Sequence, residues 1–313
     1  MNTEEWQKRL EQTFSRNGIV GYLLNDVLSA EKNYSILVED KYKGHSVLSH
    51  SFQHFYIESI CEATNYWKEK DRKTLPEYYS EIFLQHLTIF RNLRATDVLF
   101  HNGYPMDGFA RLRHIKDSAM FLAAIMNGIT TFSAINGLPA GNQHKTPITD
   151  DGYKIIIKNR KTEERRVLDI MIRNKSGLDP VHLNHLSQWE AMFNDEVHGA
   201  RLTMTLEHGP AAKGEDTTTI APKFREKACG MFMNRFSEVC WMLHRTLPFL
   251  QLPHQPFNDK WADKWHILDD SFRFMEQSLA DAQRDIAKAI IAIIEKKYPF
   301  SPCSYFSVKT IPS

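Results

Sequence analysis

The sequence has little of what marks a disulfide-bonded or strongly charged protein. Only four of its 313 residues are cysteine, and none forms a CxxC pair. This usage favours a reduced, cytoplasmic protein. Lysine and arginine (39) almost balance aspartate and glutamate (38), so the formal net charge is only +1. No global field therefore attracts nucleic acid or anionic membrane, and any basic site must be local.

Long apolar runs and targeting signals are also missing. The longest apolar stretch, residues 121–135, is interrupted by Asn127, Gly128 and three hydroxyl side chains. It is too short and too polar to span a bilayer. The first residues, MNTEEWQKRLEQTF, are charged and amphipathic and do not resemble a signal peptide. We therefore expect no membrane partner.

Several motifs of large enzyme classes are absent. The sequence contains no Walker loop, GxSxG, HExxH or Rossmann fingerprint. It also contains no internal repeat and no low-complexity tract. These absences argue against nucleotide-dependent, hydrolase and dehydrogenase chemistry of the common types, and we expect no cofactor.

Helical periodicity is the dominant pattern that is present. Apolar residues recur at intervals of three and four, which predicts an all-α, multi-helix bundle. Residues 153–157 could instead begin a short strand, but the spacing that follows favours a helix. The predicted helices span residues 3–16, 18–42, 46–70, 77–101, 106–135, 153–174, 180–204, 223–250 and 258–297.

The same pattern divides the chain into four regions. Residues 1–75 form an N-terminal helical region, and residues 76–205 form a helical core. Residues 206–222 contain glycines, prolines and three successive threonines, which is typical of a linker. Residues 223–313 contain a pair of long helices.

Residues 186–204, within the predicted helix at residues 180–204, have a concentrated polar face. Asn194, His198 and Arg201 recur at four and three residues and therefore share that face. An imidazole can transfer a proton near neutral pH, an amide can orient a phosphoryl oxygen, and a guanidinium can neutralise a developing anion. These three are candidate catalytic residues. The alternative is a surface histidine and arginine near a helix end.

Arg113 and Asp117 lie four residues apart beside an apolar stripe. At this spacing they can form an intrahelical ion pair. Arg113 could instead present its guanidinium to a ligand, so we treat Arg113 as a catalytic candidate and Asp117 as a binding candidate.

Arg94 and His101 are two further binding candidates on the helix at residues 77–101. The apolar stripe of Phe83, Leu87 and Phe90 continues at the same spacing onto Arg94, Asp97 and His101. An arginine followed by six residues and a histidine lies at the long end of a known ribonuclease pattern, although such pairs are common by chance.

A possible metal-binding stripe lies on the helix at residues 46–70. His50, His54, Glu58 and Glu62 recur every four residues, and a histidine pair at this spacing with a following carboxylate suits a metal ion. Such sites need ligands from other helices, and no ExxH pair is present. A polar helix edge is therefore the favoured interpretation, and we assign no metal ligand.

Taken together, these motifs resemble those of a known group of helical proteins. The helix–NGY turn–helix with Arg113-x3-Asp117, followed by Asn194-x3-His198-Gly199, resembles a group of bacterial all-helical proteins. More distantly, it resembles the HEPN superfamily (higher eukaryotes and prokaryotes nucleotide-binding domain). The resemblance covers Glu77 to Met204.

The HEPN resemblance implies a HEPN-like core and an RNA-directed function. Active members cleave RNA without metal, commonly across a dimer interface, and serve as toxins or antiviral effectors. His198 would transfer the proton, Asn194 would orient the phosphate, and Arg113 or Arg201 would stabilise charge. The chain departs from the family at Phe193, where active members have arginine.

Three functional hypotheses follow from these patterns. The first is an RNA-binding protein or metal-independent ribonuclease in prokaryotic antiviral defence, with RNA and a homo-oligomer or helical protein partner. The second is a non-catalytic helical scaffold or sensor subunit that oligomerises. The third is a helical metalloenzyme that uses the stripe from His50 to Glu62.

Overall fold

A computed structural model describes residues 2–16, 24–69, 75–137, 150–170, 222–252 and 255–277. Within these ranges the protein is all-α, as predicted, and contains no β-strand. The helices are α1 (Thr3–Arg16), α2 (Leu24–Lys41), α3 (Lys43–Glu69), α4 (Glu77–His101), α5 (Pro105–Met126), α6 (Phe132–Ile135), α7 (Asp150–Leu168), α8 (Glu226–Thr246) and α9 (Asp259–Gln277). A short 3-10 helix, Leu247–Leu250, directly follows α8.

The turn between α4 and α5 fixes the end of the helix that carries the candidate site. Gly103 has φ +93°, a left-handed conformation that favours glycine. A Cβ atom added there would lie 2.4 Å from Cβ of Pro222, so the position also lacks room for a side chain. Pro105 then begins α5, where its missing N–H costs no hydrogen bond. The predicted turn is confirmed.

Two predicted boundaries were wrong. The helix predicted for residues 106–135 ends at Met126, because the left-handed Gly128 (φ +65°) terminates it before the short α6 begins. The break predicted at residues 43–45 lies inside α3. The amide of Tyr42 bonds to the carbonyl of Val38 at 2.8 Å, so helical hydrogen bonding continues almost to the start of α3.

Residues 153–157 belong to α7, so the helical alternative is confirmed for this segment.

Side chains from α2, α3, α4, α5, α7, α8 and α9 contribute to one hydrophobic cluster. Its largest fully buried members include Trp261, Trp265, Tyr56 and Phe52. Burial of each large apolar side chain contributes about 1.5–3 kcal/mol. Every helix in the described ranges is too polar or too short to cross a lipid bilayer.

The buried face of α4 differs from the predicted stripe. Phe83, Leu87 and Phe90 are only partly buried, whereas the residues that face the core are Tyr79, Ile82, His86, Ile89, Leu93, Thr96, Asp97 and Phe100. The inward face is thus rotated by about one residue. Asp97 lies at the edge of this inward face and is buried, while Arg94 is exposed and His101 is partly buried beside it.

A buried ion pair joins α8 to α9. Arg245 donates to Asp269 at 2.7 Å, and Arg273 donates to the same carboxylate at 2.9 Å. The indole N–H of Trp241 donates to the other oxygen of Asp269, also at 2.9 Å. Burial opposes ionisation of Asp269, but the charge of Arg245 and these hydrogen bonds outweigh it and lower its pKa.

Two buried histidines make the stability of the fold sensitive to acid. Burial lowers the pKa of His86 and of His244 to about 3, from an ordinary value of 6.5. Between these values the unfolded chain binds protons that the folded chain does not. The stability contribution of each residue is therefore complete above pH 6.5 and decreases as the pH falls toward 3, by roughly 1.4 kcal/mol per pH unit.

We expect the free energy of unfolding to depend less steeply on pH in His244→Gln than in the wild type. The slope should fall by the contribution of one histidine, roughly 1.4 kcal/mol per pH unit. Urea unfolding between pH 7 and pH 5 measures the free energy of unfolding for wild type and variant. His54 provides the control, because it is exposed and is not among the groups that shift the pKa of His244. His54→Gln should therefore leave the slope unchanged. Equal slopes for wild type and His244→Gln would contradict the assignment.

Candidate functional site

The C-terminal part of α4 brings Arg94, Asp97 and His101 together. Nη1 of Arg94 donates to Oδ2 of Asp97 at 2.6 Å. Nδ1 of His101 lies 3.4 Å from Oδ1 of the same carboxylate. The spacing of three and then four residues places all three side chains on one side of the helix. Arg94 and His101, which were both predicted as binding candidates, therefore contact the same carboxylate.

Asp97 is the buried centre of this cluster. Its side chain is 3% exposed, whereas that of Arg94 is 54% exposed. Burial opposes ionisation of Asp97, but hydrogen bonds from His101 and Gln53 and the charges of His101 and Arg94 outweigh it. The pKa of Asp97 therefore lies below its usual value, and the residue is an anion at neutral pH.

His101 is held in a defined orientation. Its Nδ1 lies 2.9 Å from the backbone carbonyl oxygen of Asp97, to which it donates its proton. Nε2 is buried and has no hydrogen-bond partner among the described residues. Burial lowers the pKa of His101, but the hydrogen bonds and charge of Asp97, with the charge of Glu39, reverse the effect and raise it. The ring can therefore accept and return a proton at Nε2.

The neighbouring helix α3 contributes a second imidazole. The rings of His50 and His101 are stacked, with centroids 6.0 Å apart and planes inclined by 19°. His50 is exposed, and Gln53, one turn further along α3, is buried against Asp97. One potential ligand atom from each of His50, Asp97 and His101 lies within 4.8 Å of the others. These three residues could hold a metal ion.

The stripe at His50, His54, Glu58 and Glu62 does not form a single site. Glu58 accepts two hydrogen bonds from Lys264 of α9, each 2.7 Å long. Glu62 accepts one from Asn258 at 3.3 Å. Both carboxylates thus hold α3 against the α9 region, and His50 instead faces α4.

Arg113 and Asp117 form an ion pair along α5. Nε of Arg113 lies 3.8 Å from Oδ2 of Asp117, and Nζ of Lys116 lies 3.2 Å from Oδ1. Lys116 is completely buried, and burial lowers the pKa of its ammonium group despite the opposing charge of Asp117. Asp117 therefore serves as a counter-charge on α5.

The other predicted catalytic residues lie outside the described residues. Asn194, His198 and Arg201, together with Phe193, fall between residues 171 and 221. Their catalytic roles stay predictions.

Three residues of the α4 cluster, Asp97, His50 and Gln53, were not predicted from the sequence to lie beside Arg94 and His101. The spacing of Arg94, Asp97 and His101 on one helical face was a usable signal for Asp97. His50 and Gln53 lie on a different helix, about fifty residues away in the chain, and only the packing of α3 against α4 brings them there. Periodicity along one segment carries no information about such a contact.

Comparison with known proteins adds no further assignment. No protein-family model matches the chain, and neither a curated protein nor a solved structure is significantly similar to it.

Proposed function

We propose that this protein is a HEPN-like RNA-binding protein that cleaves RNA without a metal ion. The observation that carries the proposal is the meeting of Arg94 and His101 at the carboxylate of Asp97, on one helix and at a spacing at the long end of a known ribonuclease pattern. In phosphodiester cleavage by a ribose hydroxyl, a cation can stabilise the charge that develops on the phosphate and an oriented imidazole can take the proton of the hydroxyl.

Arg94 is proposed to bind the RNA phosphate. Its guanidinium has five N–H donors in a planar fork, which suits the oxygens of a phosphate. The side chain is half-exposed, so an RNA backbone can approach it while Nη1 remains on Asp97. Asp97 fixes the position of the cation without itself being accessible to RNA.

His101 and His50 are proposed to transfer the protons. The ribose 2′-oxygen attacks the neighbouring phosphorus while Nε2 of His101 takes its proton, and the bond to the 5′-oxygen breaks. His50 then gives a proton to that departing oxygen. The products are a 2′,3′-cyclic phosphate and a 5′-hydroxyl. Nε2 is buried in the described conformation, so a side-chain rearrangement must expose it to the ribose hydroxyl.

We expect Arg94→Ala to weaken RNA binding by about tenfold or more, because a charge-assisted hydrogen bond contributes about 1.5–3 kcal/mol. The loss of one phosphate contact should also reduce the slope of log affinity against log salt by about one. Fluorescence anisotropy with a labelled single-stranded RNA measures both. The exposed Arg165 of α7 provides a control with the same loss of charge. Equal losses in Arg94→Ala and Arg165→Ala would remove Arg94 from the RNA site.

Self-association belongs to the same proposal. The HEPN resemblance implies a dimer, and large apolar side chains remain exposed on both helices of the site, namely Val47 and Ile57 of α3 and Leu84 and Val98 of α4. Light scattering should give twice the chain mass. A monomer at all concentrations would contradict the dimer.

The biological setting proposed is prokaryotic antiviral defence, and it rests on the resemblance alone. A non-catalytic scaffold or sensor subunit is the alternative, and the exposed apolar side chains on α3 and α4 favour it equally. Self-association without RNA binding would select the scaffold over the ribonuclease.

A further inference from the structure

The α4 cluster contains the donor atoms of a transition-metal site. His50 and His101 offer imidazole nitrogens and Asp97 offers a carboxylate oxygen, all within 4.8 Å of one another. Two nitrogen donors and one oxygen donor suit Zn²⁺ and neighbouring transition metals, whereas Mg²⁺ and Ca²⁺ prefer oxygen ligands throughout. The residues come from two helices that are packed together, so the site does not depend on a loop.

The surroundings of the three donors resemble the supporting shell of a metal site. His101 keeps its Nδ1 proton on the backbone carbonyl of Asp97, which leaves the lone pair on Nε2. A ligand histidine commonly donates its other ring proton to a carbonyl or carboxylate in this way. Asp97 is oriented in turn by Arg94 and Gln53.

We propose that His50, Asp97 and His101 bind one divalent transition-metal ion of the zinc class. Bond lengths of about 2.0–2.2 Å place tetrahedral ligand atoms roughly 3.3 Å apart. The donors must therefore approach one another by up to about 1.5 Å, and the exposed side chain of His50 can supply this movement by rotation. Three protein ligands leave the fourth position to water.

Metal binding here is independent of the ribonuclease proposal, because it needs no RNA. If both hold, the ion acts as an inhibitor. It occupies the imidazole lone pair that receives the proton of the ribose hydroxyl, so Zn²⁺ should suppress cleavage and EDTA should restore it.

Titration of the metal-free full-length chain with Co²⁺ and with Zn²⁺ tests the proposal. The visible absorption of bound Co²⁺ reports its ligands, and calorimetry with Zn²⁺ reports affinity and stoichiometry. We expect about one ion per chain, and at least tenfold weaker binding for His50→Ala and for His101→Ala. Gln53→Ala should weaken binding about 10–100-fold, because Gln53 orients a ligand.

His54→Ala provides the matched control. His54 is exposed on α3, one turn beyond His50, and lies outside the cluster. It should bind metal like the wild type. His50 is exposed as well, so His50→Ala should leave the thermal unfolding of the metal-free protein unchanged. This measurement distinguishes the loss of a ligand from misfolding of the variant. Absence of saturable binding by the wild type, or equal binding by all variants, would overturn the proposal.

Discussion

Replacing Asp269 by alanine is expected to destabilise the protein by about 3–5 kcal/mol, the usual cost of removing one partner of a buried ion pair. Asp269 receives hydrogen bonds from Arg245, Arg273 and Trp241. The side chain of Arg245 is only 2% exposed, so its guanidinium stays buried in the variant without this counter-charge. A penalty of this size is a large share of the stability of a typical domain.

Urea unfolding followed by tryptophan fluorescence measures the effect of Asp269→Ala. Asp270, the next residue along α9, is exposed and provides the control. Asp270→Ala should change the free energy of unfolding by less than about 0.5 kcal/mol. If the two variants unfold at the same urea concentration, the α8–α9 ion pair does not stabilise the fold as described.

Replacing His101 by alanine is expected to lower the rate of RNA cleavage by about 10²–10⁴-fold, the usual contribution of a general acid or base. The variant removes the imidazole whose Nε2 receives the proton, but leaves Arg94 to bind the phosphate. RNA affinity should therefore change much less than the cleavage rate. Single-turnover cleavage of a labelled RNA, with affinity measured separately, distinguishes the two.

His54→Ala is the control for this experiment, because it removes an exposed histidine of α3 from outside the cluster. It should cleave at the wild-type rate. A His101→Ala variant that keeps more than about a tenth of that rate would show that His101 does not transfer the proton.

The sequence predicted much of the fold, because amphipathic helices carry their own signal. The bounds of α4 and the turn at Asn102-Gly103 follow from apolar spacing and turn chemistry. The end of α5 could not be predicted in the same way. Ile129, Phe132 and Ile135 continue the apolar spacing, but the left-handed Gly128 ends α5 and the extended Thr131 caps the start of α6.

The candidate site was less predictable than the fold. Arg94 and His101 could be proposed from their spacing, since a single helix determines which of its residues share a face. Asp97 lies on the predicted stripe, but Phe83, Leu87 and Phe90 of that stripe are only partly buried, because the other helices turn a neighbouring face of α4 inward. The contact of His50 with His101 depends on the packing of α3 against α4, and this is a tertiary property.

Cleavage of RNA by the purified protein in the presence of EDTA tests the central claim most directly. Wild type, His101→Ala and His198→Ala would be incubated with mixed cellular RNA, and the ends of the products analysed. We predict that the wild type produces 2′,3′-cyclic phosphate ends without metal and that His101→Ala does not. Absence of cleavage by the wild type would contradict the ribonuclease function. Cleavage lost only in His198→Ala would contradict the site on α4 and place the chemistry on the predicted helix at residues 180–204.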